Sequence, residues 1–293
     1  MFMRLCVVLL LLLCLPVSLS AAEKARVVTT FSILADITRE IGGDDIQLTN
    51  LVGADADAHV FEPAPAQVRA VLESDLVIAN GLGFEPWLER LLANGEARGT
   101  RIDASKGVVP MTVLEHDQRL VDPHAWQSLG NAEIYARNIT QALAQLVPAR
   151  AAAFEARRDS WLGRLGALRQ SIAPRLMALP PERRRVLTSH DAFGYFAQEW
   201  RLQFLAAQGV SDAAEPSAAE VAALIRQLRA EGVRAIFVEN IRDARLVKQI
   251  AEEAGARVGG TLYSDALAAE GAASTYLGMY RQNVERLLQA LAP

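Results

Sequence analysis

The sequence predicts an α/β protein of two related lobes with mainly parallel sheets, joined by one long helix. Three observations carry this. Strand-like and helix-like segments alternate along the chain, the order that builds parallel sheets flanked by helices. The second half repeats the order of the first, with matching residues at an offset of about 155 positions. Between the halves lies a helical pattern of roughly 30 residues.

The first half opens with a β-branched strand from Arg26 to Thr30. Ser32 to Ile41 follows as a helix and stops at Gly42-Gly43. Ile46 to Val52 is a second strand, and a loop runs from Gly53 to Phe61. The prolines at 63 and 65 then open a helix, since a proline in the first turn forfeits no helical hydrogen bond. Asp75 to Ala79 and Thr100 to Asp103 are short strands. The second half runs in the same order: a strand from Arg185 to Thr188, a helix from Asp191 to Trp200 and a strand from Leu202 to Val210. A loop from Ser211 to Ala214, a helix opened by Glu215-Pro216, a strand from Val233 to Val238 and a segment from Arg257 to Tyr263 complete it. The match extends to residues. Glu62-Pro63-Ala64-Pro65-Ala66-Gln67-Val68 resembles Glu215-Pro216-Ser217-Ala218-Ala219-Glu220-Val221, and Asp75-Leu-Val-Ile-Ala-Asn80 resembles Val233-Arg-Ala-Ile-Phe-Val-Glu-Asn240.

Between these halves Ala132 to Leu146 is helical by period. Pro148 suits the first turn of a further helix reaching about Leu179, roughly 45 Å at 1.5 Å per residue. Leu162, Leu165, Leu168 and Ile172 recur along it at helical spacing with arginines between them, and Pro174 is expected to kink its end. Such a helix would connect both lobes stiffly and limit their relative motion.

The N-terminus sets the compartment. Arg4, an apolar run from Leu5 to Leu15 and the small residues Ser18, Ser20, Ala21 and Ala22 follow the order of a secretory signal peptide. The run is shorter than the roughly 20 residues a spanning helix needs. Cleavage is expected near Ala22. Cys14 follows three leucines, not the small residues a lipid-attachment site requires, and Cys6 also lies in this segment. The exported chain therefore has no disulfide and depends on its core, for which roughly 270 residues suffice. The net charge is −4, or −5 without Arg4. No basic patch rich in aromatics is present, which argues against nucleic acid as a partner. The expected division is a signal peptide at 1–22, a first lobe at 23–146, a connecting helix at 147–179 and a second lobe at 180–293.

Histidine occurs four times, at positions 59, 116, 124 and 190. His59 falls in the loop after a strand, His190 at a strand end, and Asp265 just after the last strand-like segment. His124 precedes a helix in Asp122-Pro123-His124-Ala125-Trp126. Open α/β sheets bind ligands at the carboxyl ends of their strands, so one site between the lobes would collect His59, His124, His190 and Asp265. Taken singly, a loop histidine is usually solvated and Asp265 reads as a helix cap.

Six segments in order carry a family resemblance: His59-Val-Phe-Glu62-Pro63, Asp122-Pro123-His124-Ala-Trp126, Ser189-His190-Asp191-Ala192-Phe193-Gly194-Tyr195-Phe196, Glu215-Pro216-Ser217, Ile236-Phe237-Val238-Glu239-Asn240 and Leu262-Tyr263-Ser264-Asp265. Together they resemble the cluster A-I solute-binding proteins, which bind zinc or manganese for ABC importers. The resemblance implies two Rossmann-like lobes joined by a long backbone helix, with the metal in the interlobe cleft. Carried over by position, it implies metal ligands at His59, His124, His190 and Asp265. It also implies delivery of the ion to an ABC transporter permease by a periplasmic monomer, with a periplasmic metallochaperone as a further candidate partner. The chain departs from the family pattern at Trp126-Gln127-Ser128, where Leu-Asp-Pro commonly follows the aromatic residue. It also lacks a long His- and Asp-rich loop before the second ligand. Only Glu115-His116-Asp117 stands there, and His116 reads as a solvated residue or a transient metal-acquiring one.

Zn²⁺ is the expected cargo. Manganese-type members carry glutamate at the third ligand, whereas His190 gives three imidazoles and one carboxylate, a donor set that suits zinc. A catalytic zinc usually keeps an open position for water, and Asp265 would fill it. No His-Glu-x-x-His helix is present. The expectation is a carrier, not an enzyme. Manganese or iron as cargo, a secreted zinc hydrolase, and a carrier of a non-metal solute are the alternatives.

Overall fold

The computed structural model describes residues 23–291 except 96, 116–117 and 211–215. The expected signal segment, His116 and the loop from Ser211 to Ala214 thus lie outside the described residues. Two four-stranded parallel sheets form the frame. The first contains β1 (Ala25–Phe31), β2 (Ile46–Val52), β3 (Leu76–Ala79) and β4 (Thr100–Asp103) in the order β2-β1-β3-β4. The second contains β7 (Arg185–His190), β8 (Gln203–Gln208), β9 (Ala235–Glu239) and β10 (Arg257–Leu262) in the order β8-β7-β9-β10. The two orders are the same, second strand outside first, then third and fourth. The residue match between the halves therefore reflects a repeated topology, and each sheet has its switch point between first and third strands, where ligands collect.

An antiparallel pair, β5 (Thr112–Glu115) and β6 (Gln118–Val121), lies between the sheets in sequence. The alternating sequence pattern does not predict this pair, nor the helices α3 (Pro86–Asn94), α8 (Arg245–Ala254) and α9 (Tyr276–Leu291). Helices α1 (Ser32–Gly42), α2 (Pro65–Glu73), α4 (Leu129–Leu146), α6 (Gly194–Trp200) and α7 (Ala218–Ala230) follow the sequence reading with shifted ends. Ser217 caps α7 by a reciprocal bond with Glu220, the capping box that its Ser-x-x-Glu spacing encodes.

The connecting helix α5 (Ala151–Met177) has 27 residues, about 40 Å. It follows a 3₁₀ turn at Pro148–Arg150 and continues through Pro174. Phe154, Trp161, Leu165, Leu168, Ile172 and Leu176 form its buried face. Its arginines reach outward to both halves: Arg157 and Arg164 pair with Asp45 and Glu40, and Arg169 bridges Glu133 of α4 and Glu199 of α6. One apolar core runs from Val27 and Ile37 through α5 to Val186, Phe237 and Leu287. The next residue after Val186, Leu187, faces a separate cluster with Ile225, Leu228, Val247 and Ile250, as alternation along a strand requires. Both faces of the second sheet are thus covered. Helix α9 packs on β10, α5 and α1, and the Asp36 carboxylate of α1 accepts its first amide, Tyr276 N–H, at 2.8 Å. The shared core and this crossing helix favour local adjustment over large lobe rotation. No helix among the described residues is long and apolar enough to cross a membrane.

Candidate metal centre

His59, His124, His190 and Asp265 come together in one buried cluster, with one donor atom from each lying within 4.8 Å of all the others. His190 is the last residue of β7, not the residue beyond a shorter strand, and its helix begins at Gly194 instead of Asp191. Asp265 follows β10, and His59 lies in the 53–64 loop between β2 and α2. His124 begins a 3₁₀ turn, Ala125–Gln127, ahead of α4.

The separations suit a small tetrahedral cation. His59 Nε2 lies 3.1 Å from His124 Nε2 and 3.3 Å from Asp265 Oδ2. His190 Nε2 is 3.1 Å from the same oxygen, and His124 Nε2 is 3.6 Å from Asp265 Oδ1. Zinc bonds of about 2.0–2.1 Å place tetrahedral donors about 3.3 Å apart. Asp265 Oδ1 is fully buried without a hydrogen-bond partner. A buried carboxylate oxygen in that position is costly unless a cation satisfies it.

Two further carboxylates hold the imidazoles. Asp122 Oδ1 accepts both the His124 backbone N–H, at 2.9 Å, and Nδ1, at 2.8 Å. Glu239 accepts the His190 backbone N–H at 2.9 Å, and its other oxygen makes an ion-pair contact with Nδ1 at 2.6 Å. Placing the proton on Nδ1 turns the Nε2 lone pair inward, toward the other donors. Space for Asp122 depends on Gly194, where a Cβ would sit 2.6 Å from Asp122 Oδ2. The sequence motifs contain Asp122, Glu239 and Gly194, but only the folded chain shows which ring each carboxylate meets.

Charge follows from this packing. Burial pulls His190 down, yet the carboxylates of Glu239 and Asp265 outweigh it and push its pKa up to about 10. Burial would raise Asp265, but the neighbouring His190 and His124 hold it well below the usual carboxylate range. His59 is lowered, mainly by burial. The wall of the site is apolar: Phe84 meets the His59 ring edge-on at 4.5 Å and Trp126 lies 5.3 Å from His124.

The departure at Trp126-Gln127-Ser128 has a structural use. Trp126 Nε1 and Gln127 Nε2 both donate to the Ser264 carbonyl, at 2.8 and 2.6 Å, immediately before Asp265. Ser128 caps α4 by accepting the Asn131 amide, a role serine fills as well as aspartate.

The family model for the zinc-uptake complex component A periplasmic proteins (ZnuA) matches residues 27–290. The manganese ABC transporter substrate-binding lipoprotein PsaA of Streptococcus pneumoniae is 30% identical over 282 residues, 94% of this chain and 91% of its own length. The iron-binding protein YfeA of Yersinia pestis is 29% identical over 268 residues, 91% of this chain and 86% of its own. Among solved structures, the periplasmic zinc binding protein TroA from Treponema pallidum is similar with a TM-score of 0.87 at 27% identity, covering 92% of this chain and 100% of that one.

Proposed function

The chain belongs to the ZnuA family of metal-binding, substrate-binding components of ABC transporters, and we propose that its cargo is Zn²⁺, held by His59, His124, His190 and Asp265. Members of this family are carriers, not enzymes. The third imidazole, from His190, carries the assignment to zinc. Three nitrogens and one oxygen favour zinc, whereas manganese prefers oxygen-rich shells. The nearest donor separations, from 3.1 to 3.6 Å, and the closed, buried setting support the same reading.

The carrier works in the periplasm after cleavage of its leader near Ala22. The leucines ahead of Cys14 favour cleavage over lipid attachment, although PsaA is a lipoprotein by name. As a monomer it delivers the ion to a membrane permease, and a periplasmic metallochaperone is a further candidate partner. The manganese and iron in the names of its relatives make those ions the competing cargo. A competition titration of the metal-free protein tests whether the site's own preference follows this reading, and the metal content of the native protein then identifies the cargo. Zinc is expected to bind at least about a hundredfold tighter than manganese, in line with the affinity order of the divalent ions for nitrogen-rich sites. Manganese binding as tight as zinc binding would count against zinc as the cargo.

A further inference from the structure

His59 is the outermost member of the centre. It is 9% exposed, whereas His124, His190 and Asp265 are fully buried. Its neighbour Val60 is 53% exposed. The other three residues stand at a strand end or in segments gripped by Trp126, Gln127 and Glu239. An ion leaving the centre by the shortest route must therefore displace the 53–64 loop.

That loop belongs to the first half of the chain, yet it is fastened to the second. Asp57 uses one carboxylate oxygen to accept the His59 backbone N–H at 2.9 Å. The other oxygen meets Arg242 Nη1 at 3.2 Å, with the two side chains only 11% and 13% exposed. Arg242 Nε and Nη2 have no hydrogen-bond partner, so Asp57 is the anchor of this guanidinium among the described residues. Asp55 adds a second fastening. It adopts a left-handed backbone, with φ of 54°, donates its N–H to the Leu267 carbonyl, and accepts Asn240 Nδ2 and the Ala269 amide. Each anchor lies within four residues of Glu239 or Asp265 in sequence. The loop bearing His59 is thereby tied to the two segments that hold His190 and supply Asp265.

We propose that Asp57 and Arg242 are positioning residues, a cross-lobe clasp that keeps His59 on the ion and sets the rate of its release. The proposal rests on the four-residue centre being the metal site. An ion pair that is mostly shielded from solvent is weakly screened and holds a loop more firmly than an exposed one. Opening it loosens the His59 end of the loop, while Asp55 keeps its own fastening and the other three donors stay in place, which gives the ion an exit that needs no rotation of the shared core.

The test follows zinc release from the loaded full-length mature protein to a chromophoric chelator by stopped flow. Wild type, Asp57→Asn, Arg242→Gln and the double variant are compared. Asparagine keeps an oxygen for the His59 N–H while removing the charge, so it isolates the ion pair from the local turn. Each single variant is expected to release zinc roughly tenfold faster, the usual scale for groups just outside a metal's ligands. The double variant is expected to be no faster than the singles, because both remove one contact. Arg242→Lys should recover part of the slow release, which a general loss of packing would not do. Release at the wild-type rate from the single variants, or multiplying effects in the double variant, would overturn the clasp. If Arg242→Gln does not fold, Asp57→Asn alone decides by the same rate. A wild type that retains no zinc would instead remove the metal-site reading, so the two failures are distinct.

Discussion

A His190→Glu variant loses at least about a hundredfold in Zn²⁺ affinity while its Mn²⁺ affinity changes far less, so the preference between the two ions narrows. The expectation follows from where His190 stands. Its ring is buried at the end of β7, with Nε2 3.1 Å from Asp265 and Nδ1 2.6 Å from Glu239. Glutamate there exchanges a nitrogen donor for oxygen. It also places a third carboxylate beside Glu239 and Asp265, where like charges disfavour ionisation. A manganese ion tolerates the oxygen-rich shell better than zinc does. Competitive titration of parent and variant with both ions reads the effect directly. Equal losses for both would show that His190 does not set the choice of metal.

Acid releases the ion, and the dependence begins well above neutral pH. Imidazoles bind metal only when deprotonated at the ligating nitrogen. In the metal-free protein His190 holds its proton up to about pH 10 because Glu239 and Asp265 flank it. Below that value one proton must leave for each ion that binds. Affinity therefore falls about tenfold for each unit of pH, or about a thousandfold between pH 8 and pH 5 from this residue alone. His59, lowered by burial, offers less competition from protons than an exposed imidazole. Zinc affinity measured at several pH values should give a slope of at least one on logarithmic axes. Replacing Glu239 with Gln removes one of the two carboxylates that favour the proton, so the slope should flatten above neutrality. Affinity unchanged from pH 7 to pH 5 would exclude a centre dominated by histidine.

Much of the frame was legible because it depends on local pattern. The run Ile46 to Val52 has the bounds of β2, and Thr100 to Asp103 those of β4. The repeat is readable as well, since each half carries a Glu-Pro pair a few residues ahead of a helix and builds its third strand from an apolar run. Helix α9 shows why other parts were not assigned. Tyr276, Met279, Tyr280, Val284, Leu287 and Leu291 mark a buried face, but nothing local says that this face crosses back to α1 and α5. Helix α6 starts after the Asp191 that the sequence predicts, because Asp191 N–H pairs across with the Gly209 carbonyl and Ala192 N–H with the His190 carbonyl, forming a turn that the helix only follows.

The four residues of the centre were collected by motif resemblance and by their position at strand ends. What surrounds them required the fold. Asp122 and Asp57 stand two residues before the histidines whose amides they accept, a spacing visible in sequence but common in ordinary turns. Glu239 reaches His190 across 49 positions, and Arg242 reaches Asp57 from the opposite half. Gln127 shows the reverse case. A departure from the family pattern, it turns out to hold the Ser264 carbonyl next to Asp265.

The most direct test of the account is the metal content of the protein isolated from its own cellular compartment without added metal. The four-residue centre predicts one zinc per chain by elemental analysis, and less than that when Asp265 is replaced by alanine. Manganese or iron in place of zinc at that stoichiometry, or zinc retained in full by Asp265→Ala, would contradict it.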